Sequence, residues 1–476
     1  MPNRDLQQTG RMTQTYDVVV IGAGPAGENV ADYATRGSAR TALLVERELV
    51  GGECSYYACM PSKALLRPLE VKATAEHLGG LPAEVPLDVP ALLARRDAWV
   101  SGYDDSGQVG WARGAGIEVA RGTGRLDGAR RVIVTGEDGD RQVEARLAVV
   151  VATGSVPVIP DAFAGLHPWT SRDATGVVEV PGSIAVIGAG VVAVEACQWL
   201  AALGARVTLV ARGDRLLRRF EPFASDLVAE GLRSAGVEVR LGARVGSAAR
   251  LDAADRGLGR VHGGPVRLEI DGQAREFDEV LVATGRRPAT DGLGLESIGL
   301  SPEQFSRADA RPDWLHAVGD ASGEAPLTHW GKYAARLVGD RIAARAEARP
   351  DPQVPTAVPV PQVVFTDPQV ATSGFTEADA RAADLAVECV QVPLTSAAGF
   401  GLLRDDASGA AKLVFEAGTG RLVGATFAGP EVAELVHAAT VAILGRLTAD
   451  QLWHAVPSYP TASEVWLRLL EAYREH

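Results

Sequence analysis

The chain has 476 residues, of which 46% are hydrophobic, and it carries a formal net charge of −13. The length allows about three or four domains, and the acidic balance, without a Lys/Arg run, argues against nucleic acid and anionic membranes as partners. No apolar run is long enough to span a bilayer, and four cysteines do not make a secreted disulfide scaffold. The first eleven residues are polar and do not form a signal peptide, and Met12 is a second candidate start. We therefore expect a cytoplasmic protein that binds anionic ligands through local sequence motifs rather than through its overall charge.

The chain begins with the strand, glycine turn, helix, strand order of a dinucleotide-binding fold. We predict strands at residues 16–21 and 41–45, with a helix at 28–36 between them. The turn before this helix carries Gly22, Gly24 and Gly27. Glycines there let backbone N–H groups reach a pyrophosphate at the helix N-terminus, and Glu46, after the second strand, can hold a ribose diol.

Two cysteines separated by four residues follow this first nucleotide-binding pattern. A disulfide between Cys54 and Cys59 would close a short loop and contribute little to stability, so a redox function is the better reason for the pair. Pro61 suits the first turn of a helix, which would put Cys59 at the positive end of the helix dipole with Lys63 one turn on. Both features lower the pKa of a thiol. The alternative is two reduced cysteines that pack as small hydrophobic residues.

A second copy of the nucleotide-binding pattern starts with a strand at 184–187. Its turn carries Gly188, Gly190 and Ala193, and a helix to about residue 203 and a strand at 206–210 follow. Where the first copy ends with an acid, this one ends with Ala211 and Arg212, and Arg218 follows. Loss of the acid and gain of arginines is the change expected for a 2′-phosphate, so we predict NADPH rather than NADH. The alternative is that the arginines lie on a solvated turn.

Each nucleotide-binding pattern ends in a similar sequence segment, at residues 148–154 and 279–285. A helical insertion is predicted at about 65–115, and a short strand at 314–320 ends with Asp320, which could accept a hydrogen bond from a ribityl chain. A Gly-Asp pair is also a common turn. Cys197 and Cys389 are predicted to be core residues, and no Cys/His spacing predicts a metal site.

Together these residues resemble the flavoprotein disulfide reductases, which include lipoamide dehydrogenase, glutathione reductase and mercuric reductase. The resemblance runs from residue 16 to about 466 and includes the C-terminal run at 459–464. It implies an α/β fold with two Rossmann-like dinucleotide-binding domains and a C-terminal α+β dimerisation domain, in a homodimer. The implied segments are a disordered tail at 1–15, an FAD-binding domain at 16–155 and 286–355, an NAD(P)H-binding domain at 156–285 and the interface domain at 356–476.

The resemblance also implies roles for individual residues. Cys59 looks like the thiolate next to the flavin and Cys54 like the thiol that meets the substrate. Lys63 and Glu195 match the ion pair beside the reactive flavin nitrogen, where a cation stabilises arriving electron density. The remaining positions implied for cofactor binding are Gly52, Thr153, Gly154 and Asp320 for FAD, and Gly285 for the nicotinamide nucleotide.

Two departures from the family pattern concern the substrate. Tyr56 and Tyr57 lie between the cysteines, where we expect both rings to crowd the approach to the disulfide. Tyr459 stands where disulfide-reducing members carry a His paired with the residue that is Glu464 here. A phenol, whose ordinary pKa is about ten, is a poor acid-base group at neutral pH. His454 is either a substitute base or a packed residue.

The electron acceptor therefore stays open among a small disulfide, a metal ion and a quinone. Mercuric reductase carries a C-terminal cysteine pair that is absent here, which argues against mercury reduction in the usual manner. The principal hypothesis is an FAD-dependent NADPH oxidoreductase that uses the Cys54–Cys59 disulfide. The alternatives are direct reduction of quinones by the flavin, and a redox-sensing interaction protein.

Overall fold

The computed structural model of the chain describes residues 14–475. Its strands, in chain order, are β1 Gln14–Ile21, β2 Ala42–Glu46, β3 Ile117–Arg121, β4 Thr123–Leu126, β5 Arg131–Gly136, β6 Gly139–Val151, β7 Ser155–Pro157, β8 Ser183–Ile187, β9 Arg206–Val210, β10 Glu238–Arg240, β11 Val245–Arg250, β12 Val266–Ile270, β13 Gln273–Phe277, β14 Glu279–Val282, β15 Arg286–Pro288, β16 Leu315–Ala317, β17 Gln362–Val364, β18 Gln369–Gly374, β19 Val387–Pro393, β20 Ala410–Glu416 and β21 Arg421–Gly429.

The helices, in the same order, are α1 Pro25–Thr35, α2 Gly52–Tyr56, α3 Cys59–Glu76, α4 Val89–Trp99, α5 Ser106–Gly114, α6 Ser171–Thr175, α7 Val191–Ala202, α8 Pro222–Ser234, α9 Pro302–Ser306, α10 Thr328–Ala346, α11 Glu377–Ala382, α12 Ala398–Leu403, α13 Val436–Leu444, α14 Ala449–Leu452 and α15 Val465–Arg474. None of the helices within residues 14–475 has the length and apolar character needed to cross a membrane.

The chain divides into two compact units. The first consists of the residues up to Cys59 together with Val100–Val156 and Arg286–Val354. Its sheet has the order β3-β2-β1-β6-β5-β4, and β16 also pairs with β6. The strands β3, β2, β1, β6 and β16 are parallel, as expected for strands connected by helices, whereas β4 and β5 are antiparallel additions. Alternate residues of β1 enter the apolar cores on the two faces of this sheet.

The second unit consists of Met60–Trp99, Pro157–Gly285 and the residues from Pro355 onward. It contains a parallel sheet of order β10-β9-β8-β14, an antiparallel sheet β11-β12-β13 and an antiparallel sheet β17-β18-β21-β20-β19. The fold class predicted from the sequence, with two Rossmann-like units and a C-terminal α+β domain, is confirmed. The domain boundaries given above stay predictions.

Helices α3 and α4 belong mainly to the second unit because of their apolar residues. Leu65, Leu66 and Leu92 lie in the same core as residues of α7 and β9. Arg96 of α4 is fully buried and donates hydrogen bonds to the carbonyl oxygens of Thr175 and Val177, the second at 2.9 Å. These bonds satisfy a buried guanidinium and fix α4 to the segment that follows α6.

The predicted elements of both nucleotide-binding patterns are present with small shifts at their ends. Strand β9 has the predicted bounds, and β1 begins two residues earlier than predicted. Residues 1–13, with Met12 and most of the predicted tail 1–15, lie outside the described residues, whereas Gln14 and Thr15 belong to β1. The predicted helical insertion is present and consists of three helices, α3, α4 and α5.

Candidate active site

The first glycine turn joins β1 to α1 and leaves no room for side chains. Gly22 has φ +100°, and a Cβ atom there would lie 2.3 Å from the oxygen of Ala152. Gly27 faces the same turn, where a Cβ atom would lie 2.0 Å from the oxygen of Gly22. Glu46, at the end of β2, accepts a hydrogen bond of 2.8 Å from the N–H of Ala23. The acid therefore lies at the turn, as the ribose-binding prediction requires.

The start of α2 closes on this turn. Gly52 has φ +57°, and a Cβ atom there would lie 2.8 Å from the Cα of Gly24. A Cβ atom on Gly24 itself would meet nothing closer than 3.9 Å, so this side of the turn is open. Exposed backbone at the N-terminus of a helix, beside a fixed acid, fits the pyrophosphate and ribose of a dinucleotide such as FAD.

A chain of polar contacts in the first unit extends from Asp320, which is half-buried. Ser155 donates to Asp320 Oδ2 at 2.5 Å, and Arg286 donates from Nε to Ser155 Oγ at 2.8 Å. Arg286 also forms an ion pair of 3.0 Å with Glu53. Thr153 is fixed separately because its hydroxyl donates to the oxygen of Ala289 at 2.7 Å. Asp320 and Thr153 are thus both held in place within one unit.

Cys54 lies in α2 and Cys59 is the first residue of α3, and both are free thiols. Helix α3 begins at Cys59, which confirms the prediction that this cysteine lies in the first turn of a helix. The Cys59 sulfur is 3.2 Å from the hydroxyl oxygen of Thr328, the first residue of α10. The hydrogen bond to the Cys59 sulfur raises the pKa of the Cys54 thiol well above its ordinary range, and burial raises it further.

The two tyrosines between the cysteines differ in position. Tyr56 is 1% exposed, so the prediction that both rings crowd the approach to the disulfide is wrong for Tyr56. Tyr56 is the last residue of α2, and its ring packs against Gly51 in the interior. Tyr57 is half-buried and stacks on Tyr103, with ring centroids 5.5 Å apart.

Lys63 and Glu195 form an ion pair in the second unit, with 2.7 Å between Lys63 Nζ and Glu195 Oε2. Glu195 is 3% exposed, and its other oxygen accepts a hydrogen bond of 2.9 Å from the N–H of Phe365. The Lys63 ammonium also lies 4.8 Å from the centre of the Phe365 ring. Both charges are thus compensated, and Lys63 keeps about a third of its side chain exposed for a ligand.

The second glycine turn repeats the geometry of the first. A Cβ atom on Gly188 would lie 2.3 Å from the oxygen of Ala283, whereas one on Gly190 would meet nothing within 4 Å. Ala193 is buried in α7. Gly285 likewise has open space around the position of a Cβ atom. The turn therefore fits a second dinucleotide.

Arg212 and Arg218 lie in the loop after β9, and this loop folds back onto the second glycine turn. The N–H of Leu217 donates to the oxygen of Ala189 at 2.8 Å. Both arginines are exposed, and within residues 14–475 neither forms an ion pair. The loop therefore presents two uncompensated guanidinium groups beside the turn.

The C-terminal residues carry a buried acid and an exposed phenol. Tyr459 is 77% exposed, and Glu464 is 4% exposed. One oxygen of Glu464 accepts a hydrogen bond from Arg468, and the other is buried without a hydrogen-bond partner. His454 is exposed and follows the last turn of α14.

Several residues of the site were not predicted from the sequence. Thr328, Ser155 and Phe365 contact the predicted residues Cys59, Asp320 and Glu195, and Arg286 joins Ser155 to Glu53. All of them but Glu53 are distant in the chain from the cysteine pair. Two of them could have been found from the sequence, since Ser155 and Arg286 directly follow the two similar segments that end in Gly154 and Gly285.

The other two cysteines do not share one environment. Cys197 is fully buried in α7, as predicted, and burial raises the pKa of its thiol. Cys389 is only half-buried in β19, so its prediction as a core residue is wrong: β19 alternates its residues between the core and the solvent. Within the described part of the chain, no group of three or more His, Cys, Asp or Glu residues could hold a metal ion.

Comparison with known proteins gives two family models. The model described as pyridine nucleotide-disulphide oxidoreductase matches residues 16–329, and the model for the dimerisation domain of the same family matches residues 360–469. The dihydrolipoyl dehydrogenase of Chlorobaculum tepidum is 32% identical, covering 96% of this chain and 97% of the relative. The mercuric reductase of Shigella flexneri is 33% identical, covering 94% of this chain and 79% of the relative.

Two solved structures have a similar fold. LpdA from Mycobacterium tuberculosis has a TM-score of 0.79 and 25% identity, covering 97% of this chain and 99% of that one. The HOCl-induced flavoprotein disulfide reductase RclA from Escherichia coli, as its Cu(II) complex, has a TM-score of 0.79 at 20% identity, covering 96% of this chain and 99% of that one.

Proposed function

Since the chain belongs to the pyridine nucleotide-disulphide oxidoreductase family, we propose that it passes electrons from NADPH through bound FAD to the Cys54–Cys59 disulfide and then to a small-molecule acceptor. Members of this family are enzymes that depend on FAD and use NAD(P)H. The observation that carries the proposal is a cysteine pair at the start of α3, in a unit whose glycine turn fits a dinucleotide.

The two cysteines and the residues around them have different proposed roles. Cys59 lies where the first turn of α3 and the hydroxyl of Thr328 both favour a negative sulfur. Cys54, the other thiol of the pair, is the candidate for exchange with a substrate, as the resemblance to the family implies. A bound flavin would accept hydride from the nicotinamide and transfer an electron pair. Lys63, held by Glu195, would supply positive charge to such a group.

NADPH is the proposed donor because of the loop after β9. In the first glycine turn, Glu46 is held at the end of β2 and would repel a phosphate on the ribose. In the second, Ala211 follows the strand, and Arg212 and Arg218 are exposed without carboxylate partners in residues 14–475. Guanidinium groups bind phosphate by charge-assisted hydrogen bonds.

The acceptor is proposed to be a small disulfide, a thiol-reactive metal ion or a quinone. The names of the relatives, dihydrolipoyl dehydrogenase and mercuric reductase, support the first two classes. Tyr459, in place of the histidine of disulfide-reducing members, favours a second candidate function, in which quinones take electrons directly from the flavin. The match to a dimerisation domain supports a homodimer, and Tyr459 would then face the partner subunit.

Anaerobic titration with NADPH tests the electron path. The wild type should reach a two-electron-reduced state with a long-wavelength charge-transfer band, which comes from the Cys59 thiolate beside oxidised flavin. Cys59→Ser should abolish this band, whereas Cys54→Ser should show it before any reductant is added. Cys197→Ser is the matched control, because this cysteine is buried far along the chain in α7, and its band should equal that of the wild type. Direct bleaching of the wild-type flavin without the band would remove the disulfide from the path.

A further inference from the structure

The first unit contains a charged couple beside the cysteine pair that none of the roles above uses. Lys332 lies on α10 one helical turn after Thr328, so the two side chains project from one face of the helix. Thr328 contacts the Cys59 sulfur at 3.2 Å. The position of α10 is fixed nearby, since a Cβ atom on Gly331 would lie 3.0 Å from the Cα of Gly319 and 3.7 Å from the Cβ of Ala26.

Lys332 acts electrostatically on two groups. Its ammonium lowers the pKa of Cys54, against the larger opposing effects of the hydrogen bond to Cys59 and of burial. It also lowers the pKa of Glu28, which lies in the first turn of α1. Lys332 therefore carries a positive charge on the face of α10 whose preceding turn contacts Cys59.

Glu28, in the first turn of α1, is a carboxyl residue in a buried place. One of its carboxylate oxygens is buried and has no hydrogen-bond partner. Burial, opposed by Lys332 and reinforced by Glu46, raises the pKa of Glu28 to about 7. Other charged and titratable groups surround Lys332 and Glu28. They are Glu46 in β2, Cys54 and Tyr56 in α2, and, next to Tyr56, Asp104, Asp105 and Arg121. Lys332 is thus the cation in this set that acts on both Glu28 and Cys54.

We propose that Lys332 is a positioning residue for the reduced cysteine pair, whose ammonium stabilises negative charge on the sulfurs, and that Glu28 sets how much of this charge the sulfurs experience. The inference rests on the proposed function, because it assigns a counter-ion to the dithiol state. It also explains how the pair can hold a thiolate although Tyr459 cannot supply the positive charge that an imidazolium would. The counter-ion then comes from the same subunit as the cysteines.

The two partners have opposite effects, which makes the proposal testable. Loss of the ammonium in Lys332→Met should raise the pKa of the reduced pair by about one unit, since an opposite charge nearby shifts a pKa by at least about that much. Glu28→Gln removes a negative charge that offsets Lys332 and should lower the pKa of the pair. Lys332→Arg should keep the wild-type value. Arg336→Met is the matched control, because it removes a cation one turn farther along α10.

The experiment uses the full-length, FAD-loaded protein, reduced with excess dithiothreitol and then freed of it under nitrogen. Iodoacetamide labelling of Cys54 and Cys59 at a series of pH values, quantified by mass spectrometry, gives the pKa of each thiol. The pH dependence of the charge-transfer band is the second readout. Opposite shifts in Lys332→Met and Glu28→Gln support the proposal. Unchanged values, or shifts of the same sign in both variants, would overturn it.

Failure of this inference and failure of the proposed function can be told apart. If NADPH produces no charge-transfer band in the wild type, the electron path fails, but labelling of the chemically reduced enzyme still measures the effect of Lys332. If Lys332→Met does not bind FAD, as judged by visible absorbance, Lys332→Arg and Glu28→Gln still decide the question. A wild-type pKa in Lys332→Arg together with a lowered one in Glu28→Gln supports the proposal, and any other pair of values contradicts it.

Discussion

At the scale of single residues, the two glycine turns differ mainly in the group that follows the second strand. Glu46 is held by the N–H of Ala23, whereas Ala211 leaves the corresponding place without an acid. The loop beyond Ala211 is tied to the turn through Leu217 and Ala189. We therefore expect the first turn to bind a ribose with free hydroxyl groups and the second to bind a ribose that carries a phosphate.

Arg212 tests this difference. A charge-assisted contact to the 2′-phosphate contributes about 1.5–3 kcal/mol, so we expect the wild type to prefer NADPH over NADH by more than tenfold in kcat/KM. Arg212→Ala should erase most of this preference through a loss on NADPH, with little change on NADH. Steady-state kinetics with both nucleotides measure it, and Arg206→Ala, on β9, is the control. Equal use of both nucleotides by the wild type would refute the assignment.

The sequence could predict residues whose chemistry is visible in a local pattern. Cys54, Cys59 and Glu46 were accessible in this way, because each follows a strand or glycine turn within a few positions. Thr328 was not, since only the packing of α10 near the first turn of α1 brings it to Cys59. Tyr56 was misjudged for a related reason: neighbours in a short helix point in different directions.

At the scale of elements, the five-stranded sheet of the second unit is joined to α8 by a buried charge cluster. Lys412 of β20 donates to Glu221 at 3.0 Å and to Glu377 at 2.6 Å, and Glu221 also accepts from the N–H of Glu377. Burial lowers the pKa of Lys412, but the hydrogen bonds to the two acids outweigh it and raise the value overall. The same bond from Lys412, followed by one from Arg381, lowers the pKa of Glu377 to about 2.

Removal of this ammonium should destabilise the second unit. Lys412→Met leaves the carboxylate of Glu221, which is 2% exposed, without its counter-ion, and the expected loss is about 3–5 kcal/mol. Lys72→Met, which breaks an i,i+4 pair with Glu76 on α3, is the control and should cost less than about 1 kcal/mol. Guanidinium unfolding followed by circular dichroism measures both. Equal midpoints for the two variants would show that the cluster contributes no more than a surface pair.

The elements themselves were predictable only in part. Strands β1, β8 and β9 are apolar runs next to glycine turns, so their pattern was clear. Strands β18 and β21 pair across more than fifty residues, and their fully buried polar residues, among them Thr372 and Thr426, hide the alternation that a strand prediction needs. The hydroxyl groups of these two residues satisfy each other at 3.0 Å.

At the scale of the whole molecule, the proposed homodimer concerns the C-terminal residues. Glu464 is buried with one unpaired oxygen, and Tyr459 projects into solvent. In the proposed homodimer, the phenol would face the cysteine pair of the partner subunit. Such a phenol loses the contribution of about 10²- to 10⁴-fold that a general acid makes to protonation of a leaving thiolate.

Tyr459→His should restore part of that contribution. We expect turnover of glutathione disulfide or lipoamide to rise by at least about tenfold, because the unpaired oxygen of Glu464 can orient an imidazole N–H. Quinone turnover should hardly change. Tyr459→Phe is the control, and Glu464→Gln in the Tyr459→His background should remove the gain. Fast wild-type reduction of either disulfide, unaffected by Tyr459→Phe and His454→Ala together, would mean that another acid protonates the thiolate.

The pairing of β6 has a consequence for the way this protein is made. On one side of its C-terminal half lies β1, and on the other lies β16, whose residues Leu315–Ala317 are translated long after Val151. Until the ribosome has released that segment, β6 presents an open edge of apolar residues. The nascent chain must therefore carry this open edge while the residues between Val151 and Ala317 are synthesised, and chaperone demand should fall once residue 317 has emerged.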